Sequence, residues 1–246
     1  MPIYLPGSPD RPNKPSMPRI PDDLRIYAIG DIHGRADLLT EILDGIAADL
    51  RRRPAVAETR LVFLGDYVDR GPASRQVIQI LETSLPAECR PVYLKGNHED
   101  MLLKALISPA GQDIWLANGG EATLRSYGIH RHTAPSAEVV DAIGDHRRFF
   151  DSLELTHEAG DYLFVHAGVR PGVALGSQRP NDLMWIRHDF LDHLGDYGRI
   201  IVHGHTPASE PEVRPNRIGI DTGAWMTGAL TALRLEGEER AFISTR

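Results

Sequence analysis

The sequence predicts an α/β domain built as a two-sheet sandwich with helices outside. Two observations carry this. Short apolar strands alternate with amphipathic helices in the first hundred residues, and the second half is rich in strands. Length and composition set the bounds: 246 residues, 41% apolar and 25% charged, suit one folded unit with a sizeable core.

The elements follow in chain order. Seven prolines, from Pro2 to Pro21, punctuate residues 1–23 at a spacing near three. This stretch is expected to be a flexible, polyproline-like arm, and a single folded domain is expected over 24–246. Leu24–Ile29 reads as a strand. Leu38, Leu39, Ile42, Leu43 and Ile46 form one face of a helix over Ala36–Arg52. Arg51, Arg52 and Arg53 suit its C-terminal dipole, and Pro54 stops it. Leu61–Leu64 is the next strand and Pro72–Glu82 the next helix. Pro91–Leu94 and a helix from Glu99 to Ile107 follow. Asp113–Leu153 reads as mostly helical. Tyr162–Val165, Ile200–Val202, Ile218–Ile220 and Leu230–Leu235 read as strands.

Composition also excludes functions. A net charge of −7 argues against a generally basic nucleic-acid binder. No apolar run reaches the roughly 18 residues that cross a bilayer, so no membrane partner is expected. The first residues lack the order of a secretory signal. A single cysteine, Cys89, rules out an internal disulfide framework and fits a reducing compartment. The expected location is cytoplasmic; oligomeric state is unread.

The unusual residues lie where strands end. Gly30-Asp31-Ile32-His33-Gly34 follows the first strand, and Gly65-Asp66-Tyr67-Val68-Asp69-Arg70-Gly71 the second. Gly96-Asn97-His98-Glu99 follows the third. His166-Ala167-Gly168 and His203-Gly204-His205-Thr206-Pro207 end later strands. Flanking glycines permit tight turns. Aspartate, histidine and asparagine together suit manganese, iron or zinc better than calcium. One Asp-x-His alone would mean little; five such clusters at strand ends point to a metal site. Asp221-Thr222-Gly223 has the aspartic-protease pattern, but it occurs once, and a structural role beside the metal loops is the better reading.

Through these motifs the chain resembles the calcineurin-like metallophosphoesterases, specifically their bacterial and bacteriophage phosphoprotein phosphatases. Trp115-Leu116-Ala117-Asn118-Gly119-Gly120 and Ile220-Asp221-Thr222-Gly223-Ala224 add to the likeness, which spans roughly Leu24 to Leu235. The resemblance implies two divalent ions, with manganese expected and iron or zinc as alternatives. Asp31 and His33 would hold one, Asn97, His166 and His205 the other, and Asp66 would bridge. Arg70, Arg187 and Asn97 would bind the phosphate. His98 would be the general acid, oriented by Asp69. A hydroxide shared by the metals would attack phosphorus directly. Pro207 stands where broader relatives carry a further histidine.

The resemblance implies a protein serine/threonine phosphatase, with phosphotyrosine as a further substrate and a phosphorylated protein or peptide as partner. Asp69 and Glu99 favour it. The alternative is a dinucleoside-tetraphosphate hydrolase, which shares the ligand set. A phosphodiesterase or nuclease and a non-catalytic metal module are weaker readings. Trp115 and Trp185 either shape the cleft or pack.

Overall fold

The computed structural model describes residues 17–246, so most of the proline-rich stretch lies outside it. Among the described residues, ten strands form two mixed five-stranded sheets. In the first, β1 (Leu24–Ile29), β2 (Glu58–Phe63) and β3 (Cys89–Tyr93) run parallel. β9 (Thr231–Glu236) and β10 (Glu239–Ser244) add antiparallel to the edge at β1. In the second, β5 (Tyr162–Val165), β6 (Ile200–His203) and β8 (Arg217–Gly219) run parallel. β4 (Thr156–Ala159) and β7 (Glu212–Val213) are its antiparallel edges.

The period-2 alternation of each strand makes the layers. Ile26, Ala28, Val62 and Leu233 point inward and meet Tyr162, Phe164, Val202 and Ile218 of the other sheet. Tyr27, Ile29, Leu61 and Phe63 face outward under Leu39, Ile42 and Ile46 of α1 (Ala36–Arg52) and Val77 and Ile78 of α2 (Ser74–Thr83). Leu163, Val165 and Ile201 are covered by Leu183 and Phe190. The central strands are therefore buried on both faces, which is why they read as short apolar runs. Arg51 and Arg52 lie in the last turn of α1, and Arg53 caps it while bonding Asp49.

α3 (Asn97–Ala105) starts two residues before the expected Glu99, because Glu99 sits in its first turn and bonds back to Gly96 N–H. The expected helical middle is a series of short pieces. α4 (Pro109–Trp115) runs through a π-turn over Leu116–Gly120 into α5 (Glu121–Ser126), with α6 (Ser136–Ile143) and α7 (Arg147–Asp151) beyond. α8 (Pro180–Trp185), α9 (His188–Leu191) and α10 (Ala224–Thr227) sit in the later loops. β4, β7 and β10 have no counterpart in the sequence reading. Packing begins ahead of Leu24: Ile20 is buried in the sandwich interior and its N–H donates to Gly237 O at 3.1 Å. Among the described residues, no helix is long and apolar enough to cross a membrane.

Candidate active site

Parallel strands bring their C-terminal ends to one edge, where open α/β sheets place their chemistry. Asp31 follows β1, Asp66 follows β2 and Asn97 follows β3; His166, His205 and Asp221 follow β5, β6 and β8. The turns are tight. Among the described residues, the non-glycine positions with positive φ are His33, Asp66, Asp69, Arg70 and His205, all of them in these loops. Each costs on the order of 1–3 kcal/mol, which strands buried on both sides can sustain.

Asp66 is the hub. Its Oδ2 lies 3.4 Å from His33 Nε2 and 3.9 Å from His98 Nε2, and its Oδ1 lies 3.4 Å from His166 Nε2. It belongs to both groups that could hold a metal ion, His33–Asp66–His98 and Asp66–His166–His205. Asp31 lies alongside: it accepts the His205 backbone N–H at 3.1 and 3.2 Å. Burial and the nearby Asp221 and Asp66 charges push its carboxyl well above the usual range. Burial likewise pushes Asp221 up to about 6.

The residues fit divalent ions. His33 Nδ1 meets Val68 O at 2.9 Å and His166 Nδ1 meets Leu64 O at 2.8 Å. Those carbonyls hold the ring protons on Nδ1 and leave each Nε2 a bare lone pair aimed inward. His166 Nε2 then lies 2.9 Å from Asn97 Oδ1, two acceptors converging on one point. Burial, opposed by Asp66, lowers His33 to about 3 and also lowers His166 and His205, so neutral ligand rings are the favoured form. His205 Nε2 is buried without a protein partner. Mixed nitrogen and oxygen donors of this kind suit a borderline divalent metal.

His98 is held differently. Its Nδ1 meets Asp69 Oδ2 at 2.7 Å, and its buried Nε2 has no partner. Burial lowers the imidazole, but Asp66 and the Asp69 bond raise it above its ordinary value. Asp69 accepts from Trp115 Nε1 at 2.9 and 3.0 Å and from Thr123 Oγ1 at 2.6 Å. Trp115 is fully buried; it packs, but it also fixes this carboxylate.

Arg70 is exposed and its Nη1 lies 2.9 Å from His33 Nε2. Arg187, also exposed, lines the same cleft with Arg70 and His205. All ten residues singled out for catalysis, metal or phosphate thus gather at one edge. Sequence reasoning missed the positioning roles of Trp115, Thr123 and Glu99. Glu99 accepts the N–H groups of Asp66 at 2.9 Å, Tyr67 at 2.8 Å and Gly96 at 3.0 Å, tying the β2 loop to α3. Its place three residues after Gly96, at the third helical position, was the available signal.

A family model described as calcineurin-like phosphoesterase matches residues 24–229. A bis(5'-nucleosyl)-tetraphosphatase PrpE (asymmetrical) from Halalkalibacterium halodurans is 28% identical, over 89% of this chain and 93% of the relative. The protein of that name from Anoxybacillus flavithermus is 31% identical, over 84% and 88%. A cold-active protein tyrosine phosphatase superposes with a TM-score of 0.63 at 19% identity, over 91% of this chain and 81% of its own; that likeness concerns the fold.

Proposed function

This chain belongs to the calcineurin-like phosphoesterase family, and on that premise we propose that it is a metal-dependent hydrolase of dinucleoside tetraphosphates, cutting them into a nucleoside monophosphate and triphosphate. The observation that carries this reading is the near full-length similarity, at 28% and 31% identity, to bis(5'-nucleosyl)-tetraphosphatases named asymmetrical. The sequence alone favours a phosphoprotein; the relatives favour the dinucleotide.

The family depends on two metal ions. Asp31, His33 and Asp66 would hold one, and Asp66, Asn97, His166 and His205 the other. Such ions supply an activated water and offset phosphoryl charge. Arg70 and Arg187 bind phosphate oxygens, for which a planar guanidinium fork is suited, and Asn97 assists from the start of α3. Hydrolysis joins the water oxygen to one phosphorus and breaks that phosphorus from its bridging oxygen. His98 gives its Nε2 proton to the departing oxygen. Asp69 keeps the ring oriented and stabilises its charged form.

That buried acid also favours a second reading, hydrolysis of phosphoserine or phosphothreonine. A departing alkoxide needs a proton far more than a departing phosphate, whose second pKa is about 6. Manganese is the expected metal under either reading.

Chromatography of diadenosine tetraphosphate incubated with manganese-loaded protein tests the proposal. AMP and ATP in equal amounts, absent with Asp66→Asn, are expected. Two ADP, or no turnover, would overturn it.

A further inference from the structure

The catalytic groups account for the floor of the cleft and leave its wall unexplained. The cleft measures about 550 Å³, and its lining joins Arg70, Arg187 and His205 with Pro207, Trp225 and Met226. A phosphoryl group needs the charges and has no use for the wall. Trp225 is 39% exposed and Met226 56% exposed, in the cleft that also holds Arg70, Arg187 and His205. Both stand on α10, a single turn pinned at each end. Gly223 N–H donates to Asp221 Oδ1 at 2.8 Å, Thr227 Oγ1 donates to Thr222 O at 2.8 Å, and Arg35 donates to Ala224 O at 3.0 Å. The flanking Gly223 and Gly228 take left-handed φ values of 68° and 73°. The ring is therefore presented on a rigid support, so ordering it on binding costs little.

We propose that Trp225 is the stacking platform for one nucleobase, selecting nucleoside polyphosphates over bare phosphate esters. This rests on the dinucleotide reading above and adds a residue that reads the nucleoside. The guanidinium carbon of Arg70 lies 5.4 Å from the Trp225 ring centroid. One side chain thus steadies the arginine that meets phosphate while offering indole surface to a base. The spatial order, indole then guanidinium then metal ligands, matches base then phosphate chain. Stacking tolerates any base, since every base has a π face. Adenine and guanine nucleotides should both bind.

The test is calorimetric titration of manganese-loaded protein with ATP, with inorganic tripolyphosphate and with a phosphoserine peptide, each separately. Wild type should bind ATP about tenfold tighter than tripolyphosphate. Trp225→Ala should bring the two within about twofold, and Trp225→Phe should keep most of the preference. Equal affinities in wild type would overturn the platform. So would an equal loss on both ligands in Trp225→Ala, which would leave Trp225 only a support for Arg70. A loss confined to phosphopeptide binding would give the wall to a peptide side chain and overturn the base assignment. An ATP preference in a protein that leaves diadenosine tetraphosphate intact would strike the proposed reaction and spare the platform; turnover without the preference would do the reverse.

Discussion

Asp69 Oδ2 and His98 Nδ1 lie 2.7 Å apart, in a pair whose side chains are both wholly shut from solvent. Trp115 and Thr123 bond the same carboxylate from α4 and α5. The imidazole therefore has one orientation, with Nε2 turned to the site within 3.9 Å of Asp66 Oδ2. A general acid placed this way should matter in proportion to how poorly the leaving group departs.

His98→Ala should slow hydrolysis of a phosphoserine peptide by about 10²–10⁴-fold, the usual worth of general acid catalysis. Nitrophenyl phosphate, whose leaving group departs unaided, should lose far less. Initial rates on both substrates check this; equal losses would make His98 a positioning residue only.

The pH dependence has a definite sign. Asp66 and the Asp69 bond, against burial, raise the His98 imidazole above its ordinary 6.5. The acid form must be present for proton donation, so kcat on alkyl phosphates should fall as pH rises through that raised value. In His98→Asn this alkaline limb should vanish from the residual rate. An unchanged limb would assign it to another group.

Removing the orienting carboxylate should cost nearly as much as removing the acid. Asp69→Asn leaves the shape but replaces an anion that stabilises the imidazolium, so a loss of roughly 10²–10⁴-fold is expected on poor leaving groups. Trp115→Phe deletes one donor to a buried carboxylate and should destabilise the fold by about 1–3 kcal/mol. Kinetics on the first variant and denaturant midpoints on the second check these.

Gly204 marks where the loop after β6 closes on the loop after β1. A Cβ added there would meet Asp31 Oδ1 at 2.1 Å. Gly204→Ala should therefore displace Asp31 and lower bound metal per chain, with activity down at least about tenfold and the far-ultraviolet circular dichroism unchanged. Full metal content in that variant would remove Asp31 from the ligand set.

Much of this site is visible in the sequence because the chemistry restricts it to a few residue types beside strand ends. Asp31, His33, Asp66, Asn97, His166 and His205 stand out for that reason, and the apolar runs Leu24–Ile29 and Tyr162–Val165 become central strands. The edge strands do not stand out. β4 has one buried position and β10 none, so neither shows a clear buried face, and β7 has two residues. The lock on Asp69 is equally hidden, since Trp115 and Thr123 are 46 and 54 residues away along the chain. Nor does any residue pattern announce the positive φ of Asp66 or Arg70. The substrate is the least legible feature. Asp69 and Glu99 favour a phosphoprotein by resemblance, yet both act within the loops rather than on the substrate's distal parts.

The central claim is the choice of substrate, and a matched panel of initial rates tests it most directly. Manganese-loaded protein would be offered diadenosine tetraphosphate beside phosphoserine, phosphothreonine and phosphotyrosine peptides, with Asp66→Asn as control. The account predicts that kcat/KM for the dinucleotide exceeds that for every peptide by at least about tenfold, and that the control is inactive on all four. Peptide turnover with the dinucleotide untouched would contradict it and return the chain to the protein phosphatases.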